Sequence, residues 1–267
     1  MSEGALVLAA ASYALATLFF LSHVLAGRSR VHALACLGLA ALLHTVSLFV
    51  RIGQTGLKGL APLPEQLSAI SWLAVLVYLL FSSRRSLAII GALVAPFGLL
   101  AVVSAYAFEV GPLPIPARPN SVWLPIHIAP ALLGYAIFVL ASFLSAAYLL
   151  QEHQLKGRRR GALFRRLPAL ETLDELNHRF VSWGFVLFTC GIVAGSVLAQ
   201  RIWGAVWSWE PVQVWSVVTW LVYAALLHAR SMGWRGRRAA QLTIASFVVL
   251  VASFITVNLF FPGRHGM

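Results

Sequence analysis

The residues with chemistry to offer are tryptophans and histidines set in an apolar chain. Trp203-Gly-Ala-Val-Trp207-Ser-Trp209-Glu210-Pro211 packs three tryptophans, one acid and one proline into nine residues. A single Trp at a bilayer edge is an interfacial anchor, because its ring is amphipathic. A cluster on one loop builds instead a flat apolar shelf for a large planar ligand. Glu210 gives that shelf one polar point, and Pro211 opens the next helix where a missing N–H costs nothing. Two imidazoles accompany it: His127, in Trp123-Leu-Pro-Ile-His127, and His265, in Asn258-Leu-Phe-Phe-Pro-Gly-Arg-His265. Two imidazoles from opposite sides of an iron, with an apolar wall for the macrocycle, are what axial haem ligation requires. Interfacial histidines beside a tryptophan belt remain the alternative at this point.

His228 stands apart. It lies 18 residues beyond Glu210, about 27 Å along a helix and nearly a full hydrocarbon thickness, so it cannot share an iron with His127 or His265. A haem at His228 would define a second site at the other membrane face. His23 sits at comparable depth, whereas His44 falls about 10 Å below the opposite boundary, so depth favours His23 as an in-chain partner; another subunit is the alternative. His32, His153 and His178 read as solvated surface. Cys36 and Cys190 lie inside apolar runs and read as small core residues. There is no Cys-x-x-Cys-His, so the chain carries no covalent haem of its own.

The elements that must position these residues are membrane helices. Of 267 residues, 60% are hydrophobic and 10% charged, against about 25% charged in soluble domains. The net charge of +12 sits in short loops beside apolar runs, which indicates anionic membrane lipid and not nucleic acid. Eight runs approach the length of a span: Gly4 to Ala26, His32 to Val50, Leu67 to Ser82, Leu87 to Phe108, Leu124 to Leu150, Phe180 to Gln200, Val212 to His228, and Ala239 to Phe261. The first lacks a basic leader and a cleavage site and reads as a retained span. Arg28 and Arg30, Arg84 and Arg85, Lys156 to Arg179, and Arg230 to Arg238 all follow odd-numbered runs. The positive-inside rule then makes these loops cytoplasmic and puts both termini outside. The expected fold is an all-α integral membrane bundle of about eight transmembrane helices, a single polytopic domain over 1–267. The tryptophan loop at 201–211 and the Pro-rich loop from Gly111 to Leu124 share the outer face. The segment Leu167 to Phe180 reads as a separate amphipathic helix lying on the cytoplasmic surface.

These residues also carry a family likeness. Trp203-Gly-x-x-Trp207-x-Trp209-Glu210-Pro211, then Trp215 and Trp220 to Arg230 (WLVYAALLHAR), resembles the tryptophan-rich "WWD" signature of the CcsA/ResC/CcmC cytochrome c assembly proteins, nearest the CcsA type. The likeness takes in Leu173-Asp174-Glu175-Leu176, Gly191-Ile-Val-Ala-Gly195, Trp123 to Tyr135, and Val257-Asn258-Leu with His265. More weakly it takes in Arg51 with Pro64-Glu65. The resemblance implies non-covalent haem b, held by His127 and His265 beside Trp123, Trp203, Gly204, Trp207, Trp209, Glu210 and Pro211, and presented to apocytochrome c. It implies an inner haem site at His228, a CcsB/ResB-like membrane partner, and a place in a haem–apocytochrome c ligase (synthetase). It also implies the bacterial inner membrane, with the loop on the periplasmic side. The chain departs from the pattern in having Glu210 for the family's Asp, and Val212-Gln213-Val214-Trp215 where Lys-Glu-Thr-Trp is common. A HemX-like regulator of haem synthesis is the related alternative. A cytochrome b-like electron carrier would need two histidines on each of two helices, and no helix here has such a pair. A transporter would need intramembrane charges or broken helices.

Overall fold

A computed structural model describes residues 2–27, 30–82, 87–108, 122–157 and 161–260. The described residues form α-helices joined by short connections, in the order α1 (Ser2–Ala26), α2 (Arg30–Thr55), a 3-10 turn (Gly56–Leu60), α3 (Leu63–Phe81), α4 (Ala88–Ala107), α5 (Trp123–Lys156), α6 (Ala162–Arg166), α7 (Leu170–Trp203), α8 (Pro211–Ser231) and α9 (Arg237–Phe260). All but the five-residue α6 are long and apolar enough to cross a membrane, which gives eight candidate spans. Residues 2 and 260 therefore fall at the same end of the bundle. That end also carries the Trp203–Pro211 loop and is called here the tryptophan end. The opposite end, with most of the arginines, is the basic end. The Pro-rich segment from Gly111 to Leu124 lies almost wholly outside the described residues, and so does His265.

Two helix pairs organise the packing. α5 lies along α7, and α1 packs against α2 and α4; α3 links the two groups, and α9 covers α5 and carries α8. Apolar side chains fill the centre, including Tyr13 and Phe20 of α1, Leu37 of α2, Val94 of α4, Phe138 and Leu140 of α5, and Phe188 of α7. Between apolar surfaces in lipid, specificity comes from close packing and interhelical hydrogen bonds. Asn177 of α7 supplies several: its Nδ2 donates to the Ala141 carbonyl at 3.0 Å and to Ser145 Oγ at 2.8 Å on α5, and its Oδ1 accepts from Thr243 Oγ of α9 at 3.3 Å.

Two sequence expectations are corrected. Leu167 to Phe180 is not a separate surface helix: from Leu170 onward it is the first part of the 34-residue α7. Leu173, Leu176, Asn177 and Phe180 are buried within the bundle, so the apolar stripe that looked suited to a bilayer surface packs onto protein. At about 1.5 Å per residue α7 is roughly 51 Å long, which exceeds the hydrocarbon core and carries it beyond the apolar zone. Cys190 is not a core residue either; it is exposed on α7, and Cys36 is half-buried.

Candidate functional site

At the tryptophan end, His127 sits in the second turn of α5 and is aimed at α7. Its Nδ1 lies 2.8 Å from the Gly191 carbonyl oxygen. A carbonyl only accepts, so Nδ1 carries the proton and Nε2 keeps its lone pair. That is the arrangement found when a neighbour fixes a histidine for coordination through the other nitrogen. Two glycines make it possible. A Cβ on Gly191 would lie 2.9 Å from the Ala131 Cβ, and one on Gly195 would lie 2.8 Å from both Cε1 and Nδ1 of His127. The Gly191-x-x-x-Gly195 spacing therefore brings α5 against α7 and hollows a recess for the imidazole.

α7 ends at Gly204, whose φ of 74° is the left-handed conformation glycine adopts freely, with its N–H bonded to the Gln200 carbonyl at 3.0 Å. The loop that follows holds Trp207 and Trp209 edge to face, with ring centroids 5.4 Å apart and planes at 84°. Trp209 has φ 56° and is 76% exposed. A bulky residue in that region is strained and persists only where its surroundings impose it. Gln213 supplies the constraint: its Oε1 accepts from the Ser208 N–H at 2.8 Å and lies 3.1 Å from Ser208 Oγ. Glu210 is the N-cap of α8 and Pro211 its first residue, so Gln213 occupies the third helical position, from which a Glu or Gln reaches back across a helix start.

Arg201 sets its guanidinium over the Trp123 ring, 5.4 Å from the centroid, and joins the end of α7 to the start of α5. Trp203 and Glu210 are half-buried and engaged with neighbours. Close by, Arg51 of α2 pairs with the buried Glu65 of α3 at 3.0 Å, tying down the 3-10 turn between them. His127, Trp123 and the whole Trp203–Pro211 loop thus share one end of the bundle.

His228 is at the other end, exposed in the last turn of α8, where its carbonyl accepts from the Met232 N–H at 3.0 Å. His23 occupies the last turn of α1 at the same end. The main neighbours of α1 are α2 and α4, and those of α8 are α9 and α7. His44 is fully buried, with Tyr13 Oη 3.1 Å from Nδ1 and Ser68 Oγ 2.8 Å from Nε2; both ring nitrogens are taken. His32 lies against Phe19, and His153 is exposed.

Sequence reasoning missed a clamp two residues beyond His228. Arg230 is buried, and its fork donates to both oxygens of Asp174, Nη1 to Oδ1 at 3.1 Å and Nη2 to Oδ2 at 3.2 Å, while Nε donates to His178 Nδ1 at 3.1 Å. The Gly236 N–H adds a bond to Asp174 Oδ1 at 3.1 Å. A cavity of about 260 Å³ is lined by Glu171, Asp174, Glu175, His178, Arg230 and Arg235. The available signal was an arginine two positions after the histidine, with an acid inside a helical stripe of leucines. Among the described residues, no three His, Cys, Asp or Glu side chains converge as a metal site.

A family profile described as Cytochrome C assembly protein matches residues 60–265, a span that runs from the 3-10 turn to His265. The chain belongs to the cytochrome c assembly family. Among curated relatives, "Cytochrome c biogenesis protein CcsA" of Prochlorococcus marinus (strain MIT 9303) is 35% identical over 259 residues, covering 85% of this chain and 81% of that one. The CcsA protein of Guillardia theta is 33% identical over 252 residues, covering 85% and 82%. Among solved structures, the cytochrome c haem lyase CcmF superposes with a TM-score of 0.68 over 99% of this chain, at 16% identity. This family member spans half of CcmF's length, and at that identity the likeness speaks for the fold. Cytochrome c biogenesis is therefore the process to which this assembly-family chain belongs.

Proposed function

We propose that the protein binds haem b non-covalently at its tryptophan end and presents it on the extracytoplasmic side of a bacterial inner membrane for attachment to apocytochrome c. The observation that carries this reading is the His127 imidazole, whose protonated Nδ1 is held at 2.8 Å by the Gly191 carbonyl so that Nε2 is left to coordinate. His265 is the proposed second ligand. The relatives' names, cytochrome c biogenesis protein and haem lyase, support the same cargo. The arginine-rich loops of the basic end support a reading in which that end faces the cytoplasm and both termini lie outside.

Haem is the cargo, and its vinyl groups supply the carbon atoms that the client's thiols attack. The chain's part is to bind, orient and shield. Gly191 and Gly195 fix the imidazole, Trp123, Trp203, Trp207 and Trp209 wall the macrocycle, and Gln213 holds the loop that carries two of those rings. Positioning of this kind is what a protein contributes when the reacting partners hold the chemistry themselves. A CcsB/ResB-like membrane protein is the proposed partner within a haem–apocytochrome c ligase. His228 is proposed to serve a second haem site at the cytoplasmic end, with its mate from that partner or from His23.

The test is the absorption spectrum of the purified protein. His127→Gly and His265→Gly should each lower haem content and shift the Soret band, and added imidazole should restore both. Unchanged haem content and an unshifted band in both variants would overturn the assignment.

A further inference from the structure

The basic end divides into two flanks of different chemistry. On the α5, α7, α8 and α9 flank, bases meet acids of the chain: Lys156 pairs with Glu152 at 2.7 Å, Arg179 with Glu175 at 2.5 Å, and Arg230 with Asp174. On the α1 to α4 flank the described arginines are Arg30, at the start of α2, and Arg165 and Arg166 of α6, and no Asp or Glu falls in 27–35, 82–87 or 161–166 of the sequence. Arg166 is committed to the end of α1, where Nη1 donates to the Val24 carbonyl at 2.5 Å.

Arg30, the first residue of α2, has donors that no described residue answers. Its Nε and Nη2 are shielded from solvent and make no hydrogen bond, and the Tyr78 hydroxyl is in the same condition in a residue only 2% exposed. These groups lie at one level. Phe19 meets His32 at 5.8 Å and Phe20 meets Tyr78 at 6.1 Å, and Arg30 precedes His32 by two residues, about 3 Å along the helix. Tyr78 Oη leans on the backbone of α4 at Gly91, where a Cβ would come within 2.5 Å of it. Nε and Nη2 form one edge of the guanidinium fork, the edge that takes two oxygens of a single anion side by side. Buried donors of this kind are ordinarily satisfied. Among the described residues no carboxylate answers them, while the flank sits where apolar spans meet headgroups.

We propose that Arg30 and Tyr78 form a binding notch for a phosphate group, carried by an anionic phospholipid of the membrane. Arg30 is itself partly exposed, so its fork is within a side chain's swing of the headgroup layer. Arg166, bonded to the end of α1, adds positive charge on the same flank, which raises the local concentration of anionic lipid, and the fork with its phenol converts that general attraction into one defined site.

The full chain, reconstituted in phosphatidylcholine nanodiscs with and without phosphatidylglycerol, tests this by native mass spectrometry of retained lipid and by phosphatidylglycerol titration. Wild type should retain phosphatidylglycerol in preference to phosphatidylcholine. Arg30→Gln should weaken that binding about tenfold or more, as for a lost charge-assisted bond. Tyr78→Phe, which keeps the ring on Phe20, should weaken it by a smaller factor, and Arg179→Gln on the other flank should leave it unchanged. Inorganic phosphate titrated into detergent-solubilised protein separates the sources. Arg30-dependent phosphate binding without any lipid preference would overturn the lipid assignment. Equal phosphatidylglycerol retention in wild type, Arg30→Gln and Tyr78→Phe would overturn the site.

Discussion

Gly195→Ala is the sharpest probe of how the tryptophan end presents its imidazole. The new Cβ would stand 2.8 Å from Cε1 and Nδ1 of His127, whereas comfortable heavy-atom contact begins at about 3.5 Å. The ring must therefore retreat by about 0.7 Å or tilt by an equivalent amount. A retreat along the line of the hydrogen bond lengthens the 2.8 Å separation between Nδ1 and the Gly191 oxygen to about 3.5 Å, and a tilt spoils its angle instead; either weakens the bond. The loss to folding is small, about 1 kcal/mol, because the neutral imidazole keeps other contacts. The loss to coordination is larger: removing the partner that orients a ligating histidine costs about 10- to 100-fold in affinity. Haem titration into the apo-protein, followed at the Soret band, should show that weakening. Far-ultraviolet circular dichroism should stay the same, and Cys190→Ala, an exposed change on the same helix, should bind as wild type. A folded Gly195→Ala protein with full haem affinity and an unshifted band would show that the Gly191 carbonyl does not orient a haem-binding imidazole.

The remaining expectations concern the tryptophan loop, the Asp174–Arg230 clamp and the buried His44. Gln213→Ala removes the acceptor for Ser208 and frees Trp209 from its left-handed backbone, so tryptophan emission should shift to the red and haem affinity should fall; Gln213→Glu keeps an acceptor oxygen and should restore both. Asp174→Ala leaves the buried Arg230 guanidinium without its carboxylate, a change that costs about 3 kcal/mol or more and should show as a lower thermal midpoint in detergent. Replacing both partners by Leu and Met should recover much of that loss, and a double variant no more stable than Asp174→Ala would refute the pairing. His44→Leu strips partners from Tyr13 and Ser68 at a cost of about 1–3 kcal/mol, with haem content unchanged; loss of haem in a stable His44→Leu protein would show that the residue does more than join helices.

The spans were legible in the sequence because lipid imposes one requirement on every one of them, an apolar stretch of sufficient length, and because Pro211 opens a helix in the way its backbone dictates. The start of α7 was not. Glu171, Asp174, Glu175 and Arg179 at helical spacing beside Leu173 and Leu176 describe a surface helix equally well. What decides between the two is Arg230, 56 positions away, whose guanidinium turns Asp174 inward. The same limit applies to His44. Its depth could be estimated from the sequence, but its partners come from two other helices, 31 and 24 positions off. The Gly191 and Gly195 pair was visible as a motif. That one of its carbonyls sets the tautomer of His127 follows only from the register of α5 on α7.

That register makes α7 the ruler of the molecule. Gly191, past its middle, fixes the imidazole of His127, and Asp174 near its beginning fixes the last turn of α8 through Arg230, next to His228. The two attachment points are 17 residues apart on one unbroken helix, about 26 Å at the helical rise. The sequence estimate from Glu210 to His228 along α8 was about 27 Å. The two lengths have different end points, and the one along α7 decides the matter, because the helix has no break that would shorten it. His127 and His228 cannot grip one iron in this chain, so a haem at the basic end would occupy a site separate from the one proposed at the tryptophan end.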